Sequence, residues 1–143
     1  MNNQMELSFL AAAQNESFAR MVISAFLVQA NPTLSVVSEI RTAVSEAVTN
    51  SIVHAYGGEA GKVVLRAELD ETCVHIEVED YGKGIEDIHQ AMQPFFTTQP
   101  EQERTGMGFA LMQSVMDEVH VSSAVGSGTL VCMKKRLNES DEL

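Results

Sequence analysis

Two apolar stretches separated by a short acidic segment constrain the fold most strongly. Residues 62–69 (KVVLRAEL) and 73–79 (CVHIEVE) both suit β-strands, and Asp70 and Glu71 form the turn between them. In the second stretch alternate side chains point to opposite faces, Val74, Ile76 and Val78 to one and His75, Glu77 and Glu79 to the other. An antiparallel hairpin with one polar face argues against a doubly wound fold, whose sheet is covered on both sides.

The segments before this hairpin predict one strand and two helices. Residues 5–10 (MELSFL) alternate weakly and suit an edge strand. Asn15 is a candidate N-cap for a helix over 16–30, with Phe18, Val22, Phe26 and Ala30 on one face. Asn31-Pro32 ends that helix. A second helix begins at Thr33 or Ser35 and ends at Gly57-Gly58.

The segments after the hairpin predict a turn, helices and a closing hairpin. They are a turn over 80–84, a short helix over 86–92, a loop over 94–106, a helix over 107–119, and strands over 119–124 and 129–135. Helices come first and hairpin strands follow, which favours an α+β two-layer sandwich. We expect a mainly antiparallel mixed sheet with helices on one face. Residues 1–137 form a single domain in this interpretation, and 138–143 a polar C-terminal tail.

Composition excludes several classes of function. The 143 residues suffice for one domain with a real core. A formal net charge of -11 makes a bare nucleic-acid backbone an unfavourable partner. Cys73 and Cys132 lie far apart within apolar runs and suit buried free thiols of a reducing compartment. With no signal peptide and no stretch long enough to span a membrane, we expect a cytoplasmic protein.

A polar stripe interrupts the second predicted helix. Glu46, Asn50 and His54 are spaced four residues apart and therefore share one helix face. A solvated helix face is the simplest explanation of this stretch alone. The alternative is that the stripe faces a binding site.

The best-known nucleotide loops do not match. A P-loop needs four residues between its glycines and a hydroxyl after the lysine. Here Gly57 and Gly61 are one residue too close, and Val63 follows the lysine. The Rossmann pattern fails because 82–87 (GKGIED) and 106–111 (GMGFAL) both lack its third glycine.

Two other glycine patterns suit a nucleotide. Asp80, Gly82 and Gly84 follow a strand as Asp-x-Gly-x-Gly, where a fixed carboxylate can accept a hydrogen bond from the exocyclic amine of adenine and the glycines allow the backbone to approach the ligand closely. Gly106 and Gly108 open a helix, whose free N–H groups favour a phosphate. Taken alone, the first pattern is also explained by an ordinary turn, and the second by a flexible joint between a loop and a helix.

The polar stripe and the two glycine patterns, in this order, resemble the ATP-binding superfamily shared by gyrase-type ATPases, Hsp90 chaperones, sensor histidine kinases and MutL-like repair proteins. The resemblance favours the binding-site interpretation of the stripe and implies an ATP-binding kinase domain. Glu46 stands where histidine kinases carry Asn and where the ATPases and serine kinases carry Glu. A carboxylate is a suitable general base for a water or serine hydroxyl. Asn50 would offer its amide oxygen to Mg²⁺.

The resemblance also assigns the remaining residues of an ATP site. Arg104 would be a catalytic cation on the γ-phosphate, unless it is an ordinary surface arginine. His54 would line the rim of the pocket, although a structural role explains it equally well. The other nucleotide contacts would be Thr97, Thr98, Thr105, Gly106, Met107, Gly108 and, near Asp80, Thr129.

At this size the chain resembles the family of sporulation anti-sigma F factors, from about residue 4 to about residue 137. Three segments carry the resemblance, 45–56 (SEAVTNSIVHAY), 93–109 (QPFFTTQPEQERTGMGF) and 116–119 (MDEV). It departs at Glu86, where the family pattern has Pro. The resemblance implies inhibition of RNA polymerase sigma factor F, Mg-ATP-dependent serine phosphorylation of an anti-anti-sigma factor, and a homodimer. Arg20 would contribute to the sigma-facing surface, unless it is simply solvated.

Three alternatives stay open at this point. A general-stress anti-sigma B-type kinase would share the chemistry and differ in its sigma partner. A non-catalytic, ATP-gated sigma-binding module would bind nucleotide without transferring phosphate. A free ATPase would hydrolyse ATP without a protein acceptor.

Overall fold

Five strands and three α-helices make up the part of the chain that the computed structural model describes, which is residues 2–57, 59–85, 87–88, 92 and 108–137. In chain order they are β1 (Asn3–Leu10), α1 (Gln14–Leu27), α2 (Leu34–Asn50), β2 (Lys62–Leu69), β3 (Cys73–Asp80), α3 (Gly108–Val115), β4 (Glu118–Ala124) and β5 (Gly128–Arg136). A 3₁₀ turn over Val28–Ala30 follows α1, and a π-helical turn over Ser51–Ala55 continues α2.

The strands form one sheet in the order β1-β2-β3-β5-β4, and each of these pairings is antiparallel. The predicted hairpin is confirmed, with Leu69 opposite Val74 beside the acidic turn. The predicted first strand is also confirmed as an edge strand, since β1 pairs with β2.

The helices cover one face of this sheet. Apolar side chains of α2 join inward-facing side chains of the central strands in one buried core, Ile40, Val44 and Val48 with Leu65, Ile76 and Val131. The opposite face is polar. There Arg66 contacts Glu6 at 2.9 Å and Glu79 at 2.8 Å, and these hydrogen bonds, the one to Glu79 first, raise the pKa of the Arg66 guanidinium. The α+β two-layer prediction is therefore confirmed, although the described sheet is antiparallel throughout and not mixed as expected.

The first helix differs from its prediction at the start and in its buried face. Its N-cap is Ala13, and Asn15 lies inside the helix with its Nδ2 donating to Leu10 O at 2.8 Å. The predicted face was only partly right, because the fully buried residues are Ala19, Ile23 and Leu27. Of the predicted residues, Phe26 and Ala30 pack against the core as partly buried side chains, while Phe18 is 48% exposed.

For the other helices, the structure confirms one predicted boundary and corrects another. Thr33 caps α2 as predicted, its Oγ1 accepting from Val36 N–H at 3.2 Å. The last helix was predicted to extend through residue 119 but ends at Val115. Asp117, directly before β4, instead bonds to β5, because its N–H donates to Lys134 O and its Oδ2 accepts from Arg136 N–H. In the predicted helix over 86–92, Met92 N–H donates to Ile88 O.

Both cysteines are free, as expected, but only Cys73 is buried, whereas Cys132 is half-buried on the polar face beside Glu77. Burial, followed by the charge of Glu77, raises the pKa of the Cys132 thiol. Of the helices in the described ranges, none combines the length and the apolar content needed to cross a membrane.

Candidate active site

Glu46 and Asn50 both lie against the first residue of α3. A Cβ built on Gly108 would stand 3.1 Å from Asn50 Nδ2, 3.3 Å from Asn50 Oδ1 and 3.5 Å from Glu46 Oε2. Both side chains are half-buried. Their spacing on α2 puts them on one face, and the missing side chain of Gly108 leaves the room beside them. The stripe is therefore turned toward another element of the protein.

The Asn50 amide has a donor with no partner among the described residues. Its Nδ2 is buried and makes no hydrogen bond to any part of the chain that the structure describes. A buried polar atom without a partner costs about 1–3 kcal/mol, which an acceptor supplied beside Gly108 by a ligand or by solvent would offset. A side-chain amide presents a neutral oxygen of the kind that Mg²⁺ accepts. The amide oxygen of Asn50 therefore fits Mg²⁺ in its chemistry.

Asp80 lies at the end of β3 and is buried, with 5% of its surface exposed. Its Oδ2 accepts from Ser51 Oγ at 3.0 Å, and its Oδ1 accepts from Gly82 N–H at 3.1 Å and Thr129 N–H at 3.2 Å. Burial raises the pKa of the Asp80 carboxyl, and the three hydrogen bonds oppose that change. The result is a fixed carboxylate, positioned by α2, β3 and β5 together.

The glycines after Asp80 allow close packing of the protein's own backbone. A Cβ on Gly82 would collide with the carbonyl of Ala55, and one on Gly84, whose φ is +79°, would collide with that of Ala124. Lys83 N–H donates to Ala55 O at 3.1 Å, and Lys83 O accepts from Gly126 N–H at 2.7 Å. The turn is thus held between the end of α2 and the β4–β5 hairpin, a reason for these glycines that differs from the predicted approach of a ligand.

The π-helical turn joins the two groups of polar residues. It begins directly after Asn50, places Ser51 on Asp80 and directs Ala55 O to Lys83. Such turns are frequent at functional sites. His54 belongs to this turn and is half-buried. Sequence reasoning missed Ser51, although a polar residue between Asn50 and the apolar Ile52 was a usable signal.

Thr129 is buried directly opposite Asp80 on β5. Besides its N–H bond to Asp80, its Oγ1 lies 2.8 Å from Ser123 Oγ. Thr129 was predicted to lie near Asp80, and the structure brings the two together. Ser123 is a second residue that sequence reasoning missed.

Arg20 lies on α1, away from these two groups along the chain. Its Nε is 2.8 Å from Glu16 Oε2, which also accepts from Ser45 Oγ at 2.8 Å. The side chain of Arg20 is 37% exposed.

Several predicted site residues lie outside the described residues, namely Thr97, Thr98, Arg104, Thr105, Gly106 and Met107, as does Glu86.

Comparisons with known proteins identify the family of this chain. A family model described as the histidine kinase-like ATPase domain matches residues 9–135. An anti-sigma F factor of Caldanaerobacter subterraneus subsp. tengcongensis is 54% identical over 139 residues, which cover 97% of this chain and 97% of that protein. The anti-sigma F factor of Anoxybacillus flavithermus is 49% identical over 144 aligned positions, covering 100% of this chain and 99% of that protein.

A solved structure has the same fold. It contains the RsbU and RsbW domains of a Mycobacterium tuberculosis protein and matches with a TM-score of 0.71 at 19% identity. The match covers 96% of this chain and 33% of that chain, so this chain spans about a third of its length. At this identity the likeness supports the fold alone.

Proposed function

Because this chain belongs to the anti-sigma F factor family of histidine kinase-like ATPases, we propose that it has two linked activities. It binds sporulation sigma factor F and blocks transcription. As a protein serine/threonine kinase, it also uses Mg-ATP to phosphorylate a serine of an anti-anti-sigma factor. The observation that carries the proposal is the position of Glu46 and Asn50 against Gly108.

Adenine binds at the Asp80 end in this proposal. Asp80 is an acceptor held by three donors, and a carboxylate accepts the exocyclic amine of adenine. Thr129, opposite Asp80, completes this end. The Gly82–Gly84 turn and His54 border it.

The phosphates bind at the other end, where α3 begins. The N-terminus of a helix favours phosphate oxygens because its first N–H groups have no partners within the helix. Asn50 holds Mg²⁺ through its amide oxygen, and the ion supplies charge neutralisation to the phosphates when bound. By resemblance to the family, Thr97, Thr98, Thr105, Gly106 and Met107 also contact the nucleotide.

Glu46 acts as the general base. A serine hydroxyl must give up its proton as it attacks the γ-phosphate, and a carboxylate placed beside the reacting group accepts it. The packing of Glu46 against Gly108 puts its Oε2 at the start of α3, where the phosphates bind in this proposal. Arg104 contacts the γ-phosphate, which a guanidinium can bind through two parallel hydrogen bonds.

The first helix provides the partner surface. Arg20 is held by Glu16, and two apolar side chains of the same helix, Phe18 and Met21, are 48% and 68% exposed. A cation beside exposed apolar side chains suits a protein partner with an acidic group next to an apolar patch. We propose that sigma factor F contacts this surface of α1. We also propose that the protein is a cytoplasmic homodimer.

Phosphate transfer and sigma binding are tested together. The protein is incubated with labelled ATP, Mg²⁺ and candidate anti-anti-sigma proteins, and the labelled residue is mapped; sigma F is captured with and without nucleotide. We expect label on one serine and capture of sigma F that needs ATP. Nucleotide-dependent capture without label would identify a non-catalytic module. Label on the acceptor with capture of sigma B alone would identify the general-stress kinase, and hydrolysis unaffected by an acceptor would identify a free ATPase.

A further inference from the structure

Ser123 lies at the centre of three hydrogen bonds that the proposed function does not use. Its Oγ accepts from Ile85 N–H at 2.7 Å, donates to Gly128 O at 2.9 Å and lies 2.8 Å from Thr129 Oγ1. Ser123 is half-buried on β4, directly across the sheet from Thr129. It therefore links β4, the end of the Gly82–Gly84 turn and β5.

Counting protons fixes the direction of the bond between the two hydroxyls. A serine hydroxyl has one proton to donate and two lone pairs that accept. Ser123 gives its proton to Gly128 O and receives one from Ile85 N–H. Thr129 must then donate to Ser123, which fills the hydrogen-bonding capacity of Ser123 completely.

This direction determines what Thr129 can offer a ligand. With its single proton directed at Ser123, the Thr129 hydroxyl has only lone pairs left and acts as an acceptor. Asp80, opposite Thr129 on the neighbouring strand, is an acceptor as well. Both groups therefore favour a ligand that presents an amine and disfavour one that presents a carbonyl in the same place.

We propose that Ser123 is a positioning residue that keeps the Thr129 hydroxyl an acceptor and thereby helps the site to select a purine with an exocyclic amine over one with a carbonyl. The inference rests on the proposed binding of adenine beside Asp80 and Thr129. Without Ser123 the Thr129 proton is free to turn toward the ligand, and a carbonyl is tolerated better.

Binding of ATP and inosine triphosphate tests this directly, because inosine carries a carbonyl where adenosine carries the amine. Affinities of both nucleotides are measured by calorimetry for the wild-type protein and for Ser123→Ala, Ser123→Thr and Ser122→Ala. Ser122 is the matched control, since it is exposed on the opposite face of the same strand. In the wild type, ATP should bind more tightly than inosine triphosphate.

We expect Ser123→Ala to reduce this preference by about three- to tenfold, the worth of one hydrogen bond. Ser123→Thr, which restores the hydroxyl, should recover it, and Ser122→Ala should leave it unchanged. The amide of Ile85 should also exchange its hydrogen faster in Ser123→Ala. If Ser123→Ala does not fold, the same measurement is made on Ser123→Cys, whose thiol is a weaker donor of similar size. The preference for ATP over inosine triphosphate should then be reduced only partly.

Two results would overturn the inference separately from the proposed function. If Ser123→Ala weakens both nucleotides equally, or leaves their ratio unchanged, Ser123 has a structural role only, while ATP binding by the wild type stands. If the wild type binds neither nucleotide, the proposed function fails and this inference fails with it.

Discussion

Ser51 Oγ donates to Asp80 Oδ2 across 3.0 Å, and this bond ties the helix that carries Glu46 and Asn50 to the strand that ends in Asp80. Ser51 is 4% exposed and Asp80 5%, so the bond is shielded from water. Hydrogen bonds to a charged group are stronger in the protein interior than in water. The two ends of the candidate site are therefore held at a fixed separation by a buried contact.

Replacing Ser51 by Ala should destabilise the protein and weaken ATP binding. Asp80 Oδ2 would lose its donor while remaining buried, which costs about 1–3 kcal/mol of unfolding free energy. Ser114→Ala is the control, because that hydroxyl is exposed and, within the described residues, donates to Leu111 O of its own helix. Urea denaturation of both variants makes the comparison. Equal losses of unfolding free energy would show that the bond to Asp80 contributes nothing.

The raised pKa of Asp80 predicts a pH-dependent effect of Asp80→Asn on stability. Folding favours the protonated carboxyl, so the wild type loses unfolding free energy as the pH rises from the ordinary value of 3.8 through the higher folded value. The neutral Asn lacks this dependence. The stability of Asp80→Asn relative to wild type should thus increase as the pH is raised from the ordinary value of 3.8 through the higher folded value.

Denaturation at several pH values in that interval measures this difference. Glu68→Gln removes one exposed charge on the polar face of the sheet and controls for net charge. A relative stability of Asp80→Asn that falls with pH would contradict the direction assigned to the pKa of Asp80.

Gly82→Ala should be more damaging than Gly126→Ala. A Cβ at Gly82 collides with the backbone of Ala55, whereas a Cβ at Gly126 meets nothing within 4 Å and carries only the strain of its φ of +82°. We expect a loss of about 2–3 kcal/mol for Gly82→Ala and about 1–2 kcal/mol for Gly126→Ala. Thermal unfolding ranks the two. The reverse order would mean that the turn does not pack on the π-helical segment as described.

Asn50→Ala should separate metal binding from stability. If Asn50 holds Mg²⁺, the gain in ATP affinity on adding Mg²⁺ should be at least about tenfold smaller in Asn50→Ala than in the wild type. Even the loss of a residue that only hydrogen-bonds to a metal ligand lowers metal affinity by about tenfold or more. The free energy of unfolding should not fall by more than about 0.5 kcal/mol, because the lost Nδ2 has no partner in the described structure.

Titrations of ATP with and without Mg²⁺ give the first quantity, and denaturation gives the second. Gln113→Ala removes an exposed amide from α3 and serves as the control. An undiminished effect of Mg²⁺ in Asn50→Ala would remove Asn50 from the metal site.

The parts of the fold set by local periodicity could be predicted from the sequence. Strand β2 spans the predicted residues, and the spacing of Glu46 and Asn50 gave their shared face. The buried face of α1 could be predicted only in part, because both sides of that helix are apolar and the tertiary packing decides which residues are fully buried.

The contacts that organise the site depend on residues far apart in the chain. Ser51 and Asp80 are 29 residues apart, and Ile85 and Ser123 are 38 apart, so no local pattern reports either pair. The π-helical turn is also invisible to helical periodicity, because apolar residues continue through it. The glycines after Asp80 were predicted as positions of close approach, but their neighbour was the protein's own backbone, which only the fold reveals.

The phosphotransfer assay of Glu46→Gln tests the central claim most directly. ATP affinity and the rate of serine phosphorylation are measured side by side for this variant, the wild type and Glu68→Gln. The account predicts unchanged ATP affinity and a rate about 10²–10⁴-fold lower for Glu46→Gln alone. Transfer at the wild-type rate by Glu46→Gln, with ATP bound normally, would contradict the assignment of Glu46 as the base.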